Sequence, residues 1–471
     1  MGYFAPYGSP FPPPPPPRAP WAAPNSSSVL GPRPGNPHQV YHAGASTSTN
    51  PASWDNYAAL HAALNNISQQ QQAHGGEWFF DTGATSHVTG ETVAAPLLLI
   101  CLLLLLHQLP CSDGAAVTAS NFSSCIVSNG VTNFSLPTSP SYAGLLNSSI
   151  FNLRFTLPNV ARPAAVVFPE SRDEVRRAIL CARTSSLAIR VRSGGHSYEG
   201  LSYTTENHVP FVVADLANLN RVRVEPGSAT AWAESGATVG ELYYAVGRSN
   251  RTLAFTAGSE STTGLGGHVS GGGFGLLSRK FALAADNVLD AALITPDGRV
   301  HDRSSMGDDV FWAIRGGGGG SWGVVYAWKL WLVPVPRNVT VFTVDRTGPV
   351  QLIAGLVHRW QYVGPNLPDE YYLSVYAPTG SMEGNVSISF TGQPKQLFKS
   401  KSDYGGAMAR IGRAETPFSH RAGNLYSIQY GVNWDRSEVA RAQEYIGWLR
   451  SFYNYMTPFV SKDPRAAYVN P

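Results

Sequence analysis

Seven consecutive residues, Arg192-Ser193-Gly194-Gly195-His196-Ser197-Tyr198, concentrate most of the chemistry in this chain. Adjacent glycines let successive backbone amides turn toward one anion without side-chain obstruction, which is the geometry of a phosphate nest. The imidazole directly after them is a ready nucleophile, acid or base. Two more glycine-rich stretches follow, Gly258–Gly275 (GSESTTGLGGHVSGGGFG) and Arg315–Gly323, which holds five glycines in a row. None reads GxxxxGK[ST], so a P-loop nucleotidase is unsupported, and Gly264-Leu265-Gly266 is only a scrap of the dinucleotide fingerprint. One such loop alone would be a glycine corner. Three, the first carrying a histidine, point to a large pyrophosphate-containing cofactor.

Loops of this kind need rigid elements on both sides. Leu187–Arg192 alternates as a strand that feeds the first loop. Ser171-Arg-Asp-Glu174 is a capping box opening a helix whose Val175, Ala178, Ile179 and Ala182 share one face. Thr238-Val-Gly-Glu241 repeats the pattern, with Gly247 expected as the C-terminal cap. Val324–Val333 alternates again, rich in aromatics that suit a half-buried pleat. Mixed strands and helices from Asn121 onward argue for an α/β enzyme and against an all-α or all-β chain.

Composition sets the outer limits. The 471 residues are 43% hydrophobic and 11% aromatic, enough for two or three domains with real cores. Net charge is +3, from 34 basic and 31 acidic residues, which gives no electrostatic reason to expect nucleic acid as a partner. Residues 1–76, with a proline run over 12–17 and glutamines at 69–72, read as a disordered tail. Val93–Leu106 is too short to span a bilayer and right for a signal-peptide core, followed by small residues over 112–119. Secretion is expected from it, with a membrane anchor only if the run is retained. Of the four cysteines, Cys101 and Cys111 lie in or just after that run, and Cys125 and Cys181 could form one disulfide. Six Asn-X-Ser/Thr sequons after residue 120 also suit a secreted glycoprotein.

Two stretches carry family resemblances. Trp78–Gly90 (WFFDTGATSHVTG) resembles the Asp-Thr-Gly turn of retroviral-type aspartic proteases in copia-type retrotransposon polyproteins. The likeness stops before a flap or a second half, so a fused mobile-element fragment without protease activity is expected over 1–90. RSGGHSYEG (192–200), GLGGHVSGGGFG (264–275), AADNVLDAALITPDGRV (284–300) and DDVFWAIRGGGGGSWGVV (308–325) resemble the berberine bridge enzyme family. These are FAD-linked oxidases of the vanillyl-alcohol-oxidase superfamily, and the likeness covers about residues 121–470.

That resemblance implies an α+β fold of two domains. A PCMH-type FAD-binding domain would span 119–335 and 435–471, and an antiparallel-sheet substrate domain 336–434, after a 91–118 signal-like segment. It implies FAD bonded through its 8α carbon to His196, with cofactor contacts from Arg192, Ser193, Gly194, Gly195, Ser197, Gly258, Gly264, Gly266, Gly267, His268, Gly271 and Gly273. The family's second tether is a cysteine in AGxCPTVGxGGH; here Glu260 stands in its place, so a single attachment is expected. Thr263 replaces the aliphatic residue that controls oxygen's approach. Tyr198 and Gln429 match positions facing the flavin, and since Gln429 cannot act as a base, any base would have to be Tyr198 or a residue the motifs do not identify. Asp286 and Asn287 are structural or adenosine-side. Cys125 and Cys181 match the family disulfide.

Two pieces of the pattern are missing. About a hundred residues of the substrate domain are skipped after Gly392, and a last segment that completes the FAD domain does not follow Pro471. The implied activity is oxidation of an alcohol, such as a carbohydrate or a hydroxycinnamyl alcohol, by hydride transfer to FAD, with O2 as acceptor. A monomer is expected. The alternative is an inactive remnant that at most binds flavin.

Overall fold

The computed structural model describes residues 78–81, 112–205, 209–339, 341–377, 381–382, 385–393, 405–429, 431–460 and 468. The proline-rich tail and the apolar run Val93–Leu106 lie outside them. Among the described residues no helix is long and apolar enough to cross a membrane.

The chain builds two sheets around the glycine loops and a third beyond them. The first sheet orders its strands Phe134–Ser135, Val166–Val167, Phe211–Asp215, Ala188–Arg192; the last three run parallel. Phe211–Asp215 is buried throughout, as a central parallel strand of consecutive apolar residues should be. Helix Arg172–Thr184 covers this sheet with Val175, Ala178, Ile179 and Ala182, the face read from the sequence. Ser171 caps it by accepting the Glu174 amide at 3.3 Å. The reciprocal half of the box shifts by one residue: the Glu174 carboxylate takes the Glu170 amide at 2.9 Å.

Helix Ser112–Ser128 includes the small residues expected to suit signal peptidase. It packs on helix Arg172–Thr184, and Cys125 and Cys181 join the two by a disulfide with 5.6 Å between Cα atoms.

The second sheet is antiparallel, in the order Val300–His301, Val288–Ile294, Val324–Trp331, Thr230–Glu234, Val222–Glu225. Its core includes Phe255, Leu265, Trp328 and Leu330, all fully buried. Helix Val239–Ser249 lies against it, and its capping box is complete: Thr238 Oγ1 accepts the Glu241 amide at 3.2 Å while Glu241 accepts the Thr238 amide at 2.8 Å. Gly247 does not end this helix. The chain stays helical to Ser249 and Asn250 is the cap, because Asn250 Oδ1 gathers the Thr252 amide and hydroxyl into a local turn.

The third sheet pairs Phe342–Pro349 and Tyr372–Tyr376 antiparallel on either side of Asn385–Gln393, with Ser381–Met382 added at one end. Helix Val350–Val363 rests on it yet buries only Val350 and Ile353, leaving Leu352, Tyr362 and Val363 exposed. Trp78–Asp81, the stretch resembling a protease turn, forms a strand antiparallel to Val432–Asp435. The whole is an α+β arrangement.

Candidate active site

Strand Ala188–Arg192 ends at the first glycine loop, and its side-chain alternation decides where Arg192 points. The guanidinium is fully buried, 2.6 Å from the Asp215 carboxylate and 2.6 and 2.8 Å from the Leu146 and Leu145 carbonyls. With a nitrogen committed to each of these three partners, the Arg192 side chain anchors the loop to the protein. Burial pushes the Asp215 carboxyl up; Arg192 and the Ala217 amide pull it back. Ser193 Oγ likewise donates to the Ser235 carbonyl at 2.6 Å, and Ser197 Oγ accepts the Leu201 amide at 3.1 Å.

The next residues turn outward. Gly195 adopts φ +72°, where a Cβ would meet the Ser149 carbonyl at 2.0 Å. Gly194 presses against Gly264 of the second loop: a Cβ on either would sit 2.2 or 2.0 Å from the other's amide nitrogen. Two loops 70 residues apart in sequence thus form one wall of bare backbone. The amides of Gly194, Gly195 and His196 find no acceptor among the described residues.

His196 stands at the edge of that wall. Its ring stacks on Phe151 at 3.9 Å between centroids, and Nε2 lies 2.9 Å from Thr262 Oγ1. Burial holds the imidazole below its usual range, against the Glu260 charge and the Thr262 backbone, which pull it up. Tyr198 follows on the same loop, its carbonyl accepting from Asn152 at 2.9 Å and its phenol oxygen from Gln429 Nε2 at 3.3 Å. The two expected active-site residues therefore meet. Burial pushes the Tyr198 phenol up; the Gln429 hydrogen bond pulls it back, and the Glu260 charge adds a smaller upward push. The net direction is upward, which favours the protonated phenol.

The second loop is built in layers. Gly266 and Gly264 pack on Ser235 and Ser193, whereas a Cβ on helical, exposed Gly267 would meet no protein atom. A glycine there weakens the helix with no packing reason for it, as a residue facing a ligand would. His268 lies beneath, 7% exposed, its Nε2 accepting the Gly258 amide at 2.9 Å. Gly273, at φ +74°, packs on the same ring, and Gly271 ends the short helix Leu265–Ser270. His268 therefore holds the Gly258 and Gly273 loops together from the protein side. Thr263 is fixed through its carbonyl, which accepts the Val239 amide at 2.9 Å.

The third loop grips the second from behind, with the Gly316 and Gly318 amides donating to the Ser270 carbonyl at 2.9 and 3.0 Å. Asp286 and Asn287 are structural: Asp286 holds buried Arg421 by a two-point ion pair at 2.6 and 2.8 Å, and Asn287 bonds Thr256, Phe281 and Leu283. Sequence reasoning missed Phe151 and Asn152, which have no motif of their own. It also saw Glu260 only as a missing thiol.

Known proteins match this arrangement. Residues 163–304 fit the FAD binding domain family. Berberine bridge enzyme-like C-1 of Nicotiana tabacum is 40% identical over 453 aligned positions, covering 74% of this chain and 81% of the relative. Since 74% of 471 residues is about 350, roughly a hundred aligned positions have no residue here. Reticuline oxidase of Papaver somniferum is 39% identical, over 76% of this chain and 83% of its own. The structure of berberine bridge enzyme from Eschscholzia californica superposes with a TM-score of 0.70 at 38% identity, over 74% of this chain and 87% of that one. Glycine walls, buried anchors and relatives agree: this chain belongs to the berberine bridge enzyme-like family of FAD-dependent oxidoreductases.

Proposed function

We propose that the chain holds FAD through a single covalent bond to His196 and oxidises the CH–OH group of a small alcohol, with O2 as acceptor. The observation that carries this reading is His196 itself, set half-buried on a backbone wall between the two glycine loops, with its ring's Nε2 beside Thr262 Oγ1 and no polar partner for Nδ1 among the described residues. The residues fit such a cofactor. Bare amides at Gly194–His196 suit an anion, and the space beside Gly267 is open to a ring or a ribityl chain. When bound, a flavin supplies a two-electron acceptor for the hydrogen of a C–H bond and passes the pair to dioxygen.

The chain's own residues position the substrate. Tyr198, kept protonated by burial, donates a hydrogen bond to the substrate hydroxyl oxygen and orients the alcohol, while Gln429 holds the phenol by donating to its oxygen. The substrate's hydroxyl proton leaves to solvent water as the C–H hydrogen is given up. Glu260, with no thiol in its place, leaves one tether only.

Relatives suggest the substrate class. A monolignol oxidoreductase of Arabidopsis thaliana is 36% identical, and the glucose dehydrogenase Phl p 4.0202 superposes with a TM-score of 0.67 at 32% identity. Hydroxycinnamyl alcohols and aldoses are therefore the first candidates. The third sheet, with its sparsely buried helix, and the hundred unmatched positions support an internally shortened substrate domain over 336–434. Exposed sequon asparagines, among them Asn147 and Asn338, and the Cys125–Cys181 disulfide support secretion.

The test is anaerobic mixing of the full chain with each alcohol. Bleaching of flavin absorbance, followed by hydrogen peroxide on admission of air, is expected for at least one. A flavin-loaded protein that no alcohol bleaches would overturn the substrate class.

A further inference from the structure

The second loop sets two side chains against His196 in series. Thr262 Oγ1 lies 2.9 Å from His196 Nε2 and donates to Glu260 Oε1 at 3.1 Å, and the same carboxylate oxygen accepts the Thr262 amide at 3.4 Å. A threonine hydroxyl owns one proton, and an ionised carboxylate only accepts. That proton is committed to Glu260, so the hydroxyl presents lone pairs to the imidazole. His196 then carries its own proton on Nε2, and the lone pair sits on Nδ1. Phe151, stacked on the ring at an interplanar angle of 30°, keeps the imidazole from turning over.

We propose that Glu260, acting through Thr262, sets the His196 tautomer and thereby makes Nδ1 the nitrogen that bonds the flavin methyl carbon. The proposal rests on the reading that His196 is the tether. Attachment makes one C–N bond from the Nδ1 lone pair. One methyl hydrogen leaves as a proton, and its electron pair enters the flavin ring and passes to dioxygen. The Nε2 proton is the second to leave, so two hydrogens and one dioxygen end as hydrogen peroxide. Until that proton departs, the imidazole bears a positive charge, two hydrogen bonds from a carboxylate along its own N–H direction. Fixed opposite charge placed where charge develops is an effective way to favour such a step. Where the family pattern has a thiol that would tether the cofactor a second time, a carboxylate serves the first tether.

Glu260 is exposed, so Glu260→Gln keeps shape and removes charge without threatening the fold. The full chain, prepared from flavin-limited cells, is mixed with FAD, and acid-stable flavin fluorescence on the protein is followed in time. Thr262→Ser should match the parent. Glu260→Gln and Thr262→Val should bind flavin but attach it roughly tenfold more slowly, the scale of a lost hydrogen bond to a charged group. Attachment at the parental rate in Glu260→Gln, or a Thr262→Ser variant as slow as Thr262→Val, would overturn the relay. His196→Ala separates the two ideas: no attachment there with a normal Glu260→Gln leaves the tether standing and removes only the relay. Undiminished attachment in His196→Ala removes the tether reading itself.

Discussion

His196 and His268 each follow a glycine pair, and burial lowers the pKa of both, though the two are enclosed to different degrees. His196 keeps one edge open beside the exposed Glu260 carboxylate. His268 is enclosed by Gly258 and Gly273, and burial lowers its pKa to about 4. An unfolded chain would protonate this imidazole near its ordinary value of about 6.5, whereas the folded chain resists until about 4. Its contribution is fully present above pH 6.5 and is lost as pH falls to 4, in all about 3 kcal/mol at roughly 1.4 kcal/mol per pH unit. Thermal melts between pH 7 and 4 should show that decline, and His268→Gln should flatten it; an equal slope in the variant would contradict the assignment. Tyr198 gives a second pH test. With its phenol pushed above 10, turnover should show no Tyr198 inflection between pH 7 and 9, and Tyr198→Phe should lower kcat by about ten- to a hundredfold. An inflection in that window that disappears in the variant would mean the tyrosine ionises after all. Both residues were legible from the glycine motif. The inward turn of Arg192 was not, because a motif lists side chains without saying which face of a strand each one takes.

Helices and strands were read best where the signal is local. The Thr238–Glu241 box and the apolar face of Arg172–Thr184 need only residues within a turn of one another, and both are present. Gly247 misled because a glycine permits a helix end without requiring one; the turn built by Asn250 and Thr252 decided it. The meeting of Gly194 with Gly264 could not be read at all, since nothing in either loop specifies the other. One long-range tie at this scale is measurable. The Cys125–Cys181 bond closes a separation of 56 residues and holds helix Ser112–Ser128 on its neighbour. In the chain-entropy model a loop of that length is worth about 4 kcal/mol. Mild reduction should lower the denaturant midpoint without bleaching bound flavin, because neither cysteine reaches the glycine wall. An unchanged midpoint would show that the apolar contacts of Phe122 and Ile126 hold the helix alone.

Across the whole molecule the glycine loops sit where the first two sheets meet, and charged groups tie the third sheet's segment to them. Buried Arg279 donates to the Leu367 carbonyl at 2.7 Å, and Asp369 accepts from Arg410 at 2.6 Å. The family resemblance implied an antiparallel sheet over 336–434, but its individual strands were not placed from the sequence, although Val386, Ile388 and Phe390 alternate with Ser387, Ser389 and Thr391 along Asn385–Gln393. The catalytic account is less exposed to such gaps, since it depends on one bond. Full-length protein and its His196→Ala variant, each purified yellow, are denatured in acid and the precipitate is separated from the supernatant. Flavin fluorescence that stays with the parent polypeptide and passes wholly into solution from the variant is the predicted result. Equal retention in both, or free flavin from both, would contradict the claim that His196 holds the cofactor.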